Sequence, residues 1–177
     1  MGPEMIAYIE RLELLAFFSG YPIIYFLILS LAGNKSTRTP FKSKLVSLLP
    51  LAYALTGTLY WGLQLRNLYP DYSLSYIKSE VQFPILKIWG LITIIFWLPV
   101  FRKKVIITLF HSLVFLYLIL KTIYQQFSSI AADKDVFKNN MKVYFDSILL
   151  NAATFVAIVI LFFLISRLRK HKFSRLN

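Results

Sequence analysis

The sequence predicts an all-α membrane protein, a polytopic bundle of five transmembrane helices with its N-terminus outside and its C-terminus inside. Of its 177 residues, 58% are hydrophobic and 17% are aromatic, and the mean hydropathy is +0.63. A soluble domain of this length cannot bury so much apolar surface. The apolar residues form stretches of about 20, the length that crosses a hydrocarbon core of about 30 Å. The cations between these stretches are divided unevenly, which predicts the orientation.

Five apolar stretches meet the length requirement, and together they form a single integral-membrane domain over residues 1–177. They are 14–32, 45–65, 84–101, 105–124 and 143–166, and a basic tail follows over 167–177. The third stretch is the shortest. Pro84 suits its first helical position, because a missing N–H costs little there.

The first stretch contains Gly20 and Pro22, which must kink or break a helix that passes through them. An alternative topology therefore has four spans and an interfacial or kinked N-terminal helix. We favour a kinked span, because residues 14–34 contain no charged side chain. Both topologies place the C-terminus inside.

Three adjacent cations, Arg102, Lys103 and Lys104, separate the third stretch from the fourth. Without them, an apolar helix over 83–125 would be roughly 60 Å long, about twice the membrane thickness. They therefore predict a tight turn at the membrane surface. Lys and Arg are retained on the cytoplasmic side, so the turn is assigned to the inside.

This single assignment fixes the side of every other loop, and the remaining charges agree with it. Of 20 cations, 12 fall on the inner side, whereas the other 8 share the outer side with all 8 acidic residues. The net charge of +12 thus lies on one face. We expect a multi-pass protein of a bacterial-type cell (inner) membrane.

Ionisable groups at membrane depth are the first places to look for function. His111 lies seven residues inside the fourth stretch, and Tyr25, Tyr53 and Thr93 lie at comparable depth. These four side chains are predicted to share a polar cluster in the inner half of the bundle. The simplest interpretation is a neutral imidazole with one hydrogen bond to a tyrosine or a carbonyl. The alternative is a proton-coupled or ligand-contacting role.

Two further polar groups lie towards the outer side. Lys121 and Asp146 have similar depth on consecutive antiparallel spans and could form an ion pair, or each could extend separately to water. Ser147, Asn151 and Thr154 form a polar stripe along the fifth stretch. Such stripes serve helix packing more often than substrate binding.

The basic inner face is a candidate docking surface or a contact for anionic lipid. Its predicted members are Arg102, Lys103, Lys104, Arg167, Arg169 and Lys170. Orientation and lipid attraction already explain these charges, so we expect no nucleic-acid partner.

No enzyme template fits the sequence. It has no cysteine and no Gly-rich phosphate loop, and its carboxylates are all assigned to the outer side. We therefore predict no catalytic residue, metal site or cofactor. The first functional hypothesis is a non-enzymatic membrane subunit, a homo-oligomer or a partner in a membrane complex, that serves as a sensor, scaffold or pore. The second is a small-solute or ion transporter or channel, and a lipid-modifying enzyme is a distant third.

Overall fold

The computed structural model describes residues 3–33, 39–70, 72, 84–128 and 134–173. All regular secondary structure within these residues is helical, as the sequence predicts. The elements are α1 (Pro3–Phe18), α2 (Tyr21–Ala32), α3 (Pro40–Asn67), α4 (Pro84–Leu91), a 3₁₀ segment (Ile92–Trp97), α5 (Val105–Ser128) and α6 (Lys134–Phe173).

Four helical segments of the described chain are long and apolar enough to cross a membrane. They are Tyr8–Ala32, Pro40–Asn67, Val105–Gln125 and Lys138–Leu168. The segments contain 25, 28, 21 and 31 residues, against the about 20 that a spanning helix needs. They coincide with the first, second, fourth and fifth predicted stretches, so the chain is a membrane protein by helix length and composition.

The third stretch differs from its predicted form. A span was expected over 84–101, but α4 is followed by the 3₁₀ segment, and helical structure ends at Trp97. The next residue, Leu98, is extended, with φ −65° and ψ 139°. It precedes Pro99, and the ring of a proline disfavours helical geometry in the residue before it. Pro99 thus accounts for the early end of this helix.

The third stretch nevertheless runs antiparallel along α3. Thr93 packs against Gly57, and the Phe96 ring lies 5.9 Å from the Tyr53 ring, so residue numbers rise along one element as they fall along the other. Eight α-helical and six 3₁₀ residues extend about 24 Å. The element therefore follows α3 for most of a hydrocarbon core about 30 Å thick.

The first membrane-length segment is broken where Gly20 and Pro22 predict it. The run of helical hydrogen bonds is interrupted at Ser19 and Gly20, although Gly20 keeps helical φ and ψ, and α2 then begins with Pro22 in its first turn. Gly20 lies directly against the backbone of Ser147 and Ile148 on α6. Two backbones approach this closely only where one of them carries no Cβ.

An aromatic core joins α1, α2, α3 and α5. The Phe18 ring stacks on Phe115 at 4.7 Å and meets Tyr53 edge-on at 5.9 Å, while Tyr21 lies 4.4 Å from Tyr53. Each of these side chains is completely or almost completely buried. Offset and edge-on ring pairs stabilise a core beyond the area that they bury, so this cluster fixes the positions of the polar groups beside it.

Candidate functional site

Both ring nitrogens of His111 have a hydrogen-bond partner. Nδ1 lies 2.8 Å from the Tyr53 hydroxyl, and Nε2 lies 2.8 Å from the backbone carbonyl oxygen of Trp89. A carbonyl can only accept, so Nε2 carries a proton and donates it to Trp89. The neutral tautomer then accepts from Tyr53 at Nδ1. This arrangement matches the simplest interpretation of a buried histidine, with a second hydrogen bond added.

The surroundings of His111 are aromatic. The Trp89 ring stacks on the imidazole at 4.7 Å with an interplanar angle of 5°, and the Trp89 indole N–H donates to the His111 carbonyl at 3.2 Å. Phe96 and Phe115 approach the imidazole within 5.8 and 5.9 Å. His111 therefore holds α5 against the third stretch and α3 at the same point.

Two members of the predicted cluster take no part in these hydrogen bonds. The Thr93 hydroxyl donates instead to the Gly90 carbonyl, at 2.6 Å within its own element. Tyr25 is buried on α2, where its ring lies beside Tyr21 at 6.4 Å. The structure thus joins His111 to Tyr53 but not to Thr93 or Tyr25.

Trp89 was missed by sequence reasoning. It lies on the third stretch, and its depth depends on the register of that stretch along α3. The register is set by packing against α3, such as Thr93 against Gly57, which periodicity within one helix does not reveal. A tryptophan near the middle of a predicted span, rather than at an interface, is the signal that could have drawn attention to it.

A second polar network lies at the break between α1 and α2. The Gly20 N–H donates to the Ser147 hydroxyl oxygen at 2.7 Å, and the Ser19 hydroxyl lies 3.1 Å from the same oxygen. A helix break leaves backbone groups without intrahelical partners, and lipid offers none. Ser147 supplies the missing acceptor from α6.

Asn151 completes this network from one turn further along α6. Its amide nitrogen donates to the carbonyls of Phe17, at 3.0 Å, and Ser147, at 2.9 Å. Its amide oxygen accepts from Thr56 at 3.3 Å, and the Thr56 hydroxyl also lies 3.0 Å from that of Thr154. The predicted stripe therefore faces α1 and α3, where its side chains bond to other parts of the chain.

The outer ion pair differs from the predicted one. Lys87 pairs with Glu10 at 2.9 Å. No ion pair joins Lys121 to Asp146 in the structure, and both side chains are exposed. The reason is helix rotation. Ser147 faces the α1–α2 break, so Asp146 lies about 100° around the helix, directed away from the bundle.

The end of the bundle that carries the 102–104 turn presents its cations to the surroundings. The three side chains of the 102–104 turn are exposed, as is Arg167. The side chains of Arg169 and Lys170 lie outside the described residues. A groove of about 510 Å³ opens beside the turn, between α3 and α6.

Comparison with known proteins gives no relative from which a role could be transferred. No protein-family model, curated protein or solved structure matches the chain. Among the described residues, no group of three or more His, Asp or Glu side chains is placed to hold a metal ion. Functional inference therefore depends on the geometry described above.

Proposed function

We propose that this chain is a non-enzymatic, multi-pass subunit of the inner membrane that acts through its basic inner face, by docking an acidic cytoplasmic partner or by associating with itself. One contrast supports the proposal. The polar side-chain atoms of His111 and Asn151, at the centre of the bundle, all have hydrogen-bond partners, most of them on other elements, whereas the cations of the 102–104 turn are exposed. Side chains whose hydrogen-bonding atoms are already occupied by other parts of the chain are poorly suited to bind a substrate.

We further propose five crossings, with the N-terminus outside. The antiparallel course of the third stretch along α3 and its length of about 24 Å support this count. Where the bilayer is a few ångströms thicker than this helix is long, local thinning of the bilayer accommodates the difference. The distribution of 20 cations and 8 acids supports the orientation.

A transporter or channel is the second candidate. The His111–Tyr53 hydrogen bond favours it, because hydrogen-bonded chains of this kind can carry protons in membrane proteins. The aromatic rings on three sides of the imidazole favour the structural role instead. A conducting state would have to hydrate the imidazole and separate it from Trp89.

The orientation is testable by cysteine labelling, because the chain has no cysteine of its own. In intact spheroplasts, a membrane-impermeant maleimide is expected to label Lys142→Cys. Lys103→Cys and Arg167→Cys should react only after permeabilisation. Labelling of Lys103→Cys in intact spheroplasts would reverse the proposed topology.

The docking role is testable with a photo-crosslinking amino acid at the same positions in native membranes. We expect positions 103 and 167 to give discrete crosslinked products of fixed mass, and position 142 to give none. Neutralising all three cations of the 102–104 turn should abolish the products at position 167. If crosslinks at 167 survive that change, the turn is not the docking surface.

A further inference from the structure

The groove at the inner end of the bundle combines cations with an apolar wall. Lys44, Arg102 and Lys103 lie along it, together with the hydroxyl groups of Ser47 and Ser166. The apolar wall comes from α3, Trp97 and α6: Leu48, Leu51, Trp97, Ile158, Leu161, Phe162 and Ile165. Its volume of about 510 Å³ lies within the range of ligand-binding sites, about 300–1,000 Å³.

Side-chain contacts hold the walls of this groove in place. The Trp97 indole N–H donates to the Thr58 hydroxyl at 2.9 Å, which fixes the third stretch to α3. On the other side, the Lys44 ammonium lies 4.5 Å from the centre of the Phe162 ring and joins α3 to α6. These two contacts set the spacing of the third stretch, α3 and α6 around the groove.

The charge of the groove is wholly positive. None of its lining residues is acidic, and the sequence has no carboxylate from 14 to 70, from 81 to 132 or beyond Asp146. No acidic residue of α3 or of the third stretch can thus neutralise Lys44, Arg102 and Lys103, and the last acidic residue of α6, Asp146, lies about 30 Å along the helix from Ser166. Three cations at one end of an apolar groove are suited to an anion attached to an apolar chain.

We infer that this groove binds one acidic phospholipid of the leaflet that faces the basic turn. The phosphate lies among Lys44, Arg102 and Lys103, and one acyl chain lies along the wall formed by Leu51, Leu161 and its apolar neighbours. Basic pockets between membrane helices recognise anionic headgroups in this way. A free phosphate would satisfy the cations but leave the apolar wall uncovered. The inference requires a membrane-embedded chain. It shares Arg102 and Lys103 with the proposed docking surface, but Lys44 and the apolar wall belong to the groove alone.

The test is a titration of delipidated, purified protein with phosphatidylglycerol, followed by native mass spectrometry. We expect saturation at one tightly bound lipid per chain, with phosphatidylcholine and glycerol phosphate binding far more weakly. Removing two groove cations with Lys44→Gln and Arg102→Gln should raise the Kd roughly 10- to 30-fold, because each cation near an anionic headgroup is worth about a factor of five.

Two matched variants distinguish a specific lipid-binding site from general charge attraction. Lys104→Gln with Arg167→Gln removes the same charge from exposed inner residues that do not line the groove, and should change the Kd by no more than about twofold. Leu161→Trp keeps every cation but puts a bulkier ring where the acyl chain would lie, and should weaken lipid binding.

Several results would overturn the inference. They are gradual uptake of many lipids without a plateau, equal weakening by both charge pairs, unchanged binding in Leu161→Trp, or glycerol phosphate competing as well as the lipid. Crosslinking at position 167 reports separately on the docking role, so either proposal can fail alone.

Discussion

Replacing Gly20 with alanine is expected to prevent stable assembly of the bundle. The new Cβ would lie 2.5 Å from the backbone nitrogen of Ile148 and closer still to the carbonyl oxygen of Ser147. These atoms belong to the backbone of a 40-residue helix and cannot rotate away as a side chain could. Separating the helices would also break the bonds from Gly20 and Asn151 to their partners across the interface. We expect destabilisation at or above the upper end of the usual overpacking range of about 1–3 kcal/mol.

Gly62→Ala is the matched control for this substitution. Gly62 is also helical, but a Cβ there meets no atom within 4 Å. Alanine should therefore leave stability unchanged or raise it by about 0.5–1 kcal/mol. Thermal unfolding in detergent and the monodisperse fraction on size exclusion compare the two variants directly. Equal behaviour of Gly20→Ala and Gly62→Ala would show that α1 and α6 do not touch at this point.

Gly57→Ala is expected to have the second-largest effect. The added Cβ would overlap the Thr93 hydroxyl oxygen and lie 2.5 Å from the Thr93 Cβ. The Thr93 hydroxyl donates to Gly90 at 2.6 Å, so rotating it away would break that bond. A loss of about 1–3 kcal/mol is expected, lowering the unfolding midpoint by several degrees.

A double-mutant cycle identifies the contact responsible. Thr93→Gly removes both clashing atoms and should recover most of the stability lost in Gly57→Ala, whereas Thr93→Ala removes the hydroxyl and the γ-methyl but keeps the clashing Cβ, and should recover less. Rescue in this order would establish that Thr93 packs against Gly57, the contact that sets the register of the third stretch on α3. Simple additivity of the two changes would contradict that register.

The features that sequence predicted well depend on local chemistry. The membrane-length helices follow from the length of the apolar stretches. The break at Ser19 and Gly20 follows from the backbone properties of Gly20 and Pro22. The involvement of His111 with Tyr53 follows from depth, because a buried imidazole on a span needs a partner at its own height.

The features that sequence did not predict depend on helix rotation and register. Lys121 and Asp146 have matching depth, but rotation about the helix axis directs them outwards, and Lys87 pairs with Glu10 instead. Trp89 reaches His111 because the third stretch packs between α3 and α5 in a particular register and rotation. These quantities are fixed by packing between helices, and periodicity within one helix does not determine them.

The central claim is that the polar groups inside the bundle hold it together and do not form a path. The direct measurement is proton and potassium flux into liposomes that contain the purified, folded protein alone, between about pH 5 and pH 8, where imidazole ordinarily titrates. We expect no flux above protein-free liposomes at any pH, for wild type and for His111→Ala alike. A wild-type flux that varies with pH over this range and disappears in His111→Ala would contradict the claim and establish a conducting role.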